Sequence, residues 1–291
     1  MRFDDGWGGI LALGCLLCLP ALAWAADDRE RFEARTYTDA AGTKLLYRLL
    51  KPKDYDPNRK YPVVLFLHGA GERGGDNFAQ LKHGMAEFAS DAVREKYPAF
   101  VIAPQCPVNE RWVEVDWGAA KHDMPEKPAS PMRLTLGALE QLRKEFSFDA
   151  DRLYITGLSM GGYGTWDALQ RHPDLFAAAI PICGGGDPKH AAKFANVPLW
   201  AFHGDKDTAV RPERSRDMIA ALKAAGGNPQ YTEYPNTGHD SWTATYRNPD
   251  VHAWLFSQKR TATPAKSTEK STEKSGEKNA GKSTEKNSDK K

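Results

Sequence analysis

The sequence predicts an α/β sandwich, a mostly parallel central sheet of about eight strands with helices on both faces. Three observations predict it. Short unbroken apolar runs such as Val63-Val64-Leu65-Phe66-Leu67 suit strands buried on both faces. Amphipathic stretches at helical spacing alternate with those runs. The turns just after the runs hold the glycines, acids and histidines, and ligands in such sheets bind at the carboxyl ends of the strands.

Two early strands fall at Arg35–Thr38 and Lys44–Leu50, split by the turn Ala41-Gly42. Six more follow at Pro62–Leu67, Phe100–Ala103, Arg152–Thr156, Ala177–Ile182, Pro198–Phe202 and Gln230–Tyr234. Between them, Met132–Phe146 spaces Leu134, Leu136, Leu139 and Leu142 for one helix face. Ser215–Ala225 does the same with Met218, Ile219 and Leu222, and stops at Gly226-Gly227.

Both ends of the 291-residue chain fall outside this pattern. Trp7–Ala26 carries no charge and ends in Ala23-Trp24-Ala25, a small-x-small cleavage pattern, so residues 1–25 are expected to be a secretory signal peptide. An uncleaved anchor is the competing reading. Ala12-Leu13-Gly14-Cys15 is only a weak lipobox, placed early in the run. The expected destination is the periplasm or the exterior. At the other end, Ser-Thr-Glu-Lys stands at 267–270, 271–274 and 283–286, and residues 259–291 offer no large apolar side chain to bury. A disordered, solubilising tail is expected there, with weak attachment to an anionic envelope polymer as the sharper alternative. The domain is then 26–258.

The net charge is +2, and the tail carries ten basic against five acidic residues, which leaves the domain close to neutral. No nucleic-acid surface is implied. Of four cysteines, Cys106 and Cys183 lie in the mature chain, either bridged or buried as thiols. Neither sits in a Cys-x-x-Cys or Cys/His metal spacing.

Three strand ends carry one chemistry. Gly157-Leu158-Ser159-Met160-Gly161-Gly162 stands between a strand and a helix. A sharp turn there exposes a serine hydroxyl above the sheet, and the flanking residues must lack bulk because their backbones pass close together. Met160 N–H would point at the same space. After the strand at Pro198–Phe202 comes His203-Gly204-Asp205-Lys206-Asp207-Thr208-Ala209-Val210. A carboxylate in this loop can orient a histidine. Asp205 is placed to bond local backbone, so Asp207 is preferred, with Asp187 a poorer third choice. After the last strand, Gly238-His239-Asp240 offers a loop histidine suited to general-base work. Only His239 and His252 follow the acid, and His252 falls in a helical stretch. The fourth part is His68-Gly69-Ala70-Gly71-Glu72-Arg73-Gly74, whose Ala70 or Gly71 N–H would join Met160 N–H in an oxyanion hole.

The order Ser159, Asp207, His239 is that of the α/β-hydrolases. Residues from about 40 to 258 resemble that superfamily. Within it, the four motifs are similar to exported carboxylesterases and predicted peptidases related to dienelactone hydrolases, feruloyl esterases and polyhydroxybutyrate depolymerases. The resemblance implies that Asp207 is the triad acid. Dienelactone hydrolases proper use a cysteine nucleophile, where this chain has Ser159. No lid insertion is evident.

The expected activity is that of an exported serine hydrolase that cleaves carboxylic esters through an acyl-enzyme and needs no cofactor or metal. The alternatives are a serine peptidase and a catalytically silent binding protein. Trp112 and Trp117, after the strand at Phe100–Ala103, and Trp242, after His239, either line the substrate site or belong to the core.

Overall fold

The protein is described by a computed structural model over residues 28–260. The signal-peptide expectation for 1–25, and the tail beyond Arg260, lie outside the described residues. The strands are β1 (Glu33–Thr38), β2 (Lys44–Leu50), β3 (Tyr61–Leu67), β4 (Phe100–Pro104), β5 (Phe148–Leu158), β6 (Ala178–Ile182), β7 (Trp200–Gly204) and β8 (Gln230–Tyr234). They form one sheet in the order β1-β2-β4-β3-β5-β6-β7-β8. β2 runs antiparallel to both β1 and β4, and every other pairing is parallel. The β1–β2 hairpin turns at Gly42, whose φ of 82° explains the glycine.

The helices are α1 (Met85–Ala89), α2 (Asp91–Lys96), α3 (Ser130–Glu145), α4 (Met160–Arg171), α5 (Glu213–Ala224), α6 (Trp242–Arg247) and α7 (Pro249–Ser257). β3 is buried throughout because helices cover both of its faces. Val63, Leu65 and Leu67 pack with Leu139 of α3, Trp166 of α4 and Met218 of α5. Val64 and Phe66 point the other way, to Met85 of α1, Tyr246 of α6 and Leu255 of α7. This alternation turns an unbroken apolar run into two cores.

Several boundaries differ from expectation. β7 lies two residues later than Pro198–Phe202, which puts His203 inside it, and β1 starts two residues before Arg35, at Glu33. β5 starts four residues before Arg152, at Phe148, because the polar Phe148-Asp149-Ala150-Asp151 stretch still extends the strand. The domain also continues past 258. Arg260 N–H donates to Asp151 O at 2.8 Å, and its guanidinium reaches Asp174 O.

The β6–β7 ladder is thin. Only Ile182 pairs with Phe202 in register, besides a bridge between Ala179 and Leu199. Pro181 lies between them in β6 and has no N–H to offer.

Candidate active site

The site forms where β3, β5, β7 and β8 end. Between β5 and α4 the chain reverses at Ser159, whose φ of 52° and ψ of −116° are strained for a residue with a side chain. The reversal presses β5, α4 and β3 together. A Cβ on Gly161 would sit on the Leu67 carbonyl, and one on Gly157 would sit on the Gly161 carbonyl. Ser159 N–H is spent on Ile182 O at 3.0 Å. Met160 N–H opens α4 and has no acceptor inside the helix.

The structure brings Ser159, His239 and Asp207 together. His239 Nε2 is 2.9 Å from Ser159 Oγ, and His239 Nδ1 is 2.7 Å from Asp207 Oδ2. Nδ1 faces an oxygen that only accepts, so Nδ1 carries the ring proton and Nε2 accepts from the serine hydroxyl. Asp207 Oδ1 accepts from Ala209 N–H at 2.9 Å and Val210 N–H at 3.0 Å. Burial opposes the carboxylate's charge, but the hydrogen bonds from His203, His239 and Val210 outweigh it, and the group is held far below the usual carboxylate range. Asp205 does not bond the backbone of its own turn as expected but reaches the loop after β8, accepting from Thr237 N–H at 3.2 Å. Asp187 caps Lys189 N–H and Met124 N–H. Neither bonds His239. His252 is buried on α7 against Tyr246 O.

After β3, Gly69 opens a single 3-10 turn over Ala70–Glu72. Ala70 packs against the core, whereas Gly71 stands at the surface. Packing holds the turn beside the elbow, since a Cβ on Gly69 would meet the Leu158 side chain at 2.8 Å. His68 braces it from below. Its Nε2 accepts from Cys106 N–H at 2.9 Å, and its Nδ1 donates to Gly69 O at 2.6 Å. Burial lowers the pKa of this ring to about 4, so it stays neutral. The buried Glu72 lies 3.4 Å from His83 Nε2.

The three tryptophans have different places. Trp112 is 0% exposed and donates its Nε1–H to His68 O at 2.9 Å, so it is a core residue that cannot touch substrate. Trp117 is partly buried, with the Arg111 guanidinium 4.5 Å and that of Arg73 5.9 Å from its ring centre. Trp242 stands edge-on to His239 at 5.2 Å, with His83 on it at 5.4 Å.

Sequence reasoning missed the irregular segment 105–129 and what ties it down. Tyr163 of α4 donates to Trp117 O at 3.1 Å. Arg214 of α5, buried, donates to Ala120 O at 3.0 Å and also bonds His122. No local motif announces such side chain-to-carbonyl ties. His203 was also missed, and its signal was a histidine directly after the apolar run Pro198–Phe202, four residues before the acid.

Cys106 and Cys183 are both free, buried thiols. Cys183, Asp207 and His239 offer ligand atoms within 4.8 Å of one another. Burial pushes the Cys183 thiol well up, and the other two already bond each other, so a metal would have to break that pair.

A family model described as "Putative esterase" matches residues 38–285. A solved thermostable esterase is 42% identical, with a TM-score of 0.75 over 79% of this chain and 64% of that one. A "Putative carboxymethylenebutenolidase" of Salmonella typhimurium is 35% identical over 113 residues, covering 36% of this chain and 41% of the relative. "Dipeptidyl-peptidase 5" of Porphyromonas gingivalis is 27% identical over 191 residues, covering 61% of this chain and 26% of the relative. The chain thus spans under two thirds of the length of each of these proteins. The architecture is the α/β-hydrolase fold, and with most of its length matched by the family model, this chain belongs to the esterase family.

Proposed function

We propose that this protein is an exported serine hydrolase that cleaves carboxylic esters through an acyl-enzyme. The observation that carries the reading is the hydrogen-bonded line from Ser159 through His239 to Asp207, built on a strained elbow. Ser159 Oγ attacks the acyl carbon as His239 Nε2 takes its proton. Asp207 holds the ring's tautomer and stabilises the imidazolium. The Met160 N–H, together with that of Ala70, or of Gly71 further out, stabilises the oxyanion. His239 then gives its proton to the leaving alcohol. Water, activated by the same histidine, releases the acid and restores Ser159. Trp117 and Trp242 are proposed as the aromatic edge of the substrate site.

The similarity to a thermostable esterase supports esters. The dipeptidyl-peptidase relative supports a second reading, peptide cleavage with the same residues. A panel of aryl, feruloyl, acetyl-sugar, acyl-chain and peptide substrates tests both, with fluorophosphonate labelling to locate the nucleophile. Label on Ser159 with esters turned over well above peptides is expected. Faster peptide hydrolysis would select the second reading, and no label on folded protein would leave a silent binder.

A further inference from the structure

Asp207 serves two histidines, and the catalytic reading uses only one. His203 lies in β7, fully buried. Its Nε2 is 3.0 Å from Val210 O and 3.2 Å from Asp207 Oδ2, the oxygen that His239 also engages. A carbonyl and a carboxylate can only accept, so His203 Nε2 carries a proton whatever the ring's charge. Its Nδ1 is 2.7 Å from Ser215 Oγ of α5, and that hydroxyl is 3.3 Å from Gly184 O. The serine either donates to a neutral ring or accepts from a charged one while donating to Gly184. The same heavy atoms satisfy both states.

We infer that His203 is a positioning residue that tempers the basicity of His239, because its Nε2–H, bonded to Val210 O, also lies against the Asp207 oxygen that His239 engages; the inference rests on the triad reading above. Each N–H held against Oδ2 offsets part of its negative charge and weakens its hold on the His239 imidazolium. Ser215 sharpens the effect. As a donor to Nδ1 it makes the opposite N–H a better donor, and as an acceptor it stabilises the charged ring. The other groups facing this pair do not take over the role. Glu233 on β8 is engaged by Arg216 at 2.7 and 2.8 Å. The Cys183 thiol after β6 is held protonated by burial. Asp205 accepts from Thr237 N–H in the loop that carries His239, not from either ring.

Both charge states of His203 give one sign. Without its N–H against it, Oδ2 binds the His239 proton more tightly, and the acid limb of kcat/KM moves to higher pH. The test is the pH profile of kcat/KM on a small aryl ester for the full chain, for His203→Leu, which has no N–H to offer, and for Ser215→Ala, with fluorophosphonate labelling as a second readout. In His203→Leu the acid limb should rise by about 0.5 to 1 pH unit, a threefold to tenfold change in proton affinity. In Ser215→Ala, a smaller change in a retained fold, it should rise less. A limb unmoved or lowered in enzyme that still labels at Ser159 would overturn the inference, whatever happens to the plateau. Should His203→Leu fail to fold, Ser215→Ala decides alone. Failure of the triad reading looks different, because the native chain would then not label at Ser159.

Discussion

The serine elbow and the segment 105–129 both pack against His68 and α4, yet they are built from different materials. The elbow is backbone against backbone, with Gly157, Gly161 and the Leu67 carbonyl in contact. The segment has no regular structure, and side chains of α4 and α5 tie it down by its carbonyls. A close-packed backbone fixes an atom tightly, which bond-making needs. Side-chain ties change with one substitution, which would suit the proposed role of Trp117 at the edge of the substrate site. The difference teaches that, on that proposal, chemistry and selectivity should be separable by mutation.

The strongest way to break the comparison is at the elbow. Ser159→Ala should cost about 10⁶ in kcat, the size seen when a triad nucleophile is removed alone. Activity within tenfold of the native chain, measured on any accepted ester, would remove Ser159 from the chemistry. Next comes the acid. Asp207→Asn should lose about 10⁴ in kcat, because an amide favours the wrong histidine tautomer. Asp205→Asn should change kcat little, since an amide oxygen can still accept from Thr237 N–H and Asp205 does not bond His239. If the two variants exchange these outcomes, the acid is Asp205.

The segment should respond more mildly and differently. Arg214→Met keeps the buried stem but frees Ala120 and His122. KM for a bulky ester should rise about tenfold, the worth of one or two hydrogen bonds, while kcat on an aryl acetate stays within about threefold. A parallel loss on both substrates would mean that the segment does not select.

Acid probes both regions at once. Burial holds His68 neutral, with its pKa down at about 4. His122 is lowered to about 4 by burial and by the Arg214 charge beside it. An unfolded chain takes up these protons from about pH 6.5 downward. Between there and pH 4 it binds more protons than the folded protein, so stability falls as pH falls. His68 alone accounts for about 3 kcal/mol at the low end of the window. Tm should therefore drop steadily from pH 7 to pH 4, and a level Tm would contradict the buried neutral ring. The smallest effect belongs to the tail. Deleting 261–291 should leave Tm and turnover on a small ester unchanged. Retention on an anionic matrix should weaken, and the difference should vanish in high salt. A Tm several degrees lower would mean that the tail docks on the domain.

The same contrast explains what the sequence discloses. Ser159 is legible because steric crowding forces glycine two residues to either side of it. Asp207 and His239 are legible because each follows a recognisable strand. Trp112 is not, since standing in an irregular segment past the end of a strand says nothing of the side to which an indole turns. Its role depends on the His68 carbonyl, distant in the chain. His203 hides for a related reason. A polar residue in an apolar run declares burial, but the partner it bonds depends on how the following loop folds back. α1 and α2, at five and six residues, are too short to register a helical period.

The gap that Pro181 leaves in the ladder divides the machinery. Ser159 follows β5, which is firmly paired to β6, while Asp207 and His239 follow β7 and β8. Where β6 meets β7, Ala179 N–H bonds Pro198 O and Cys183 N–H bonds Phe202 O, and Pro181 between them has no N–H to add. The contact between His239 and Ser159 crosses that seam and is one of its fasteners. Warming should therefore part the reacting groups before the sheet melts, and the enzyme should fall silent while its spectrum still reports a folded protein.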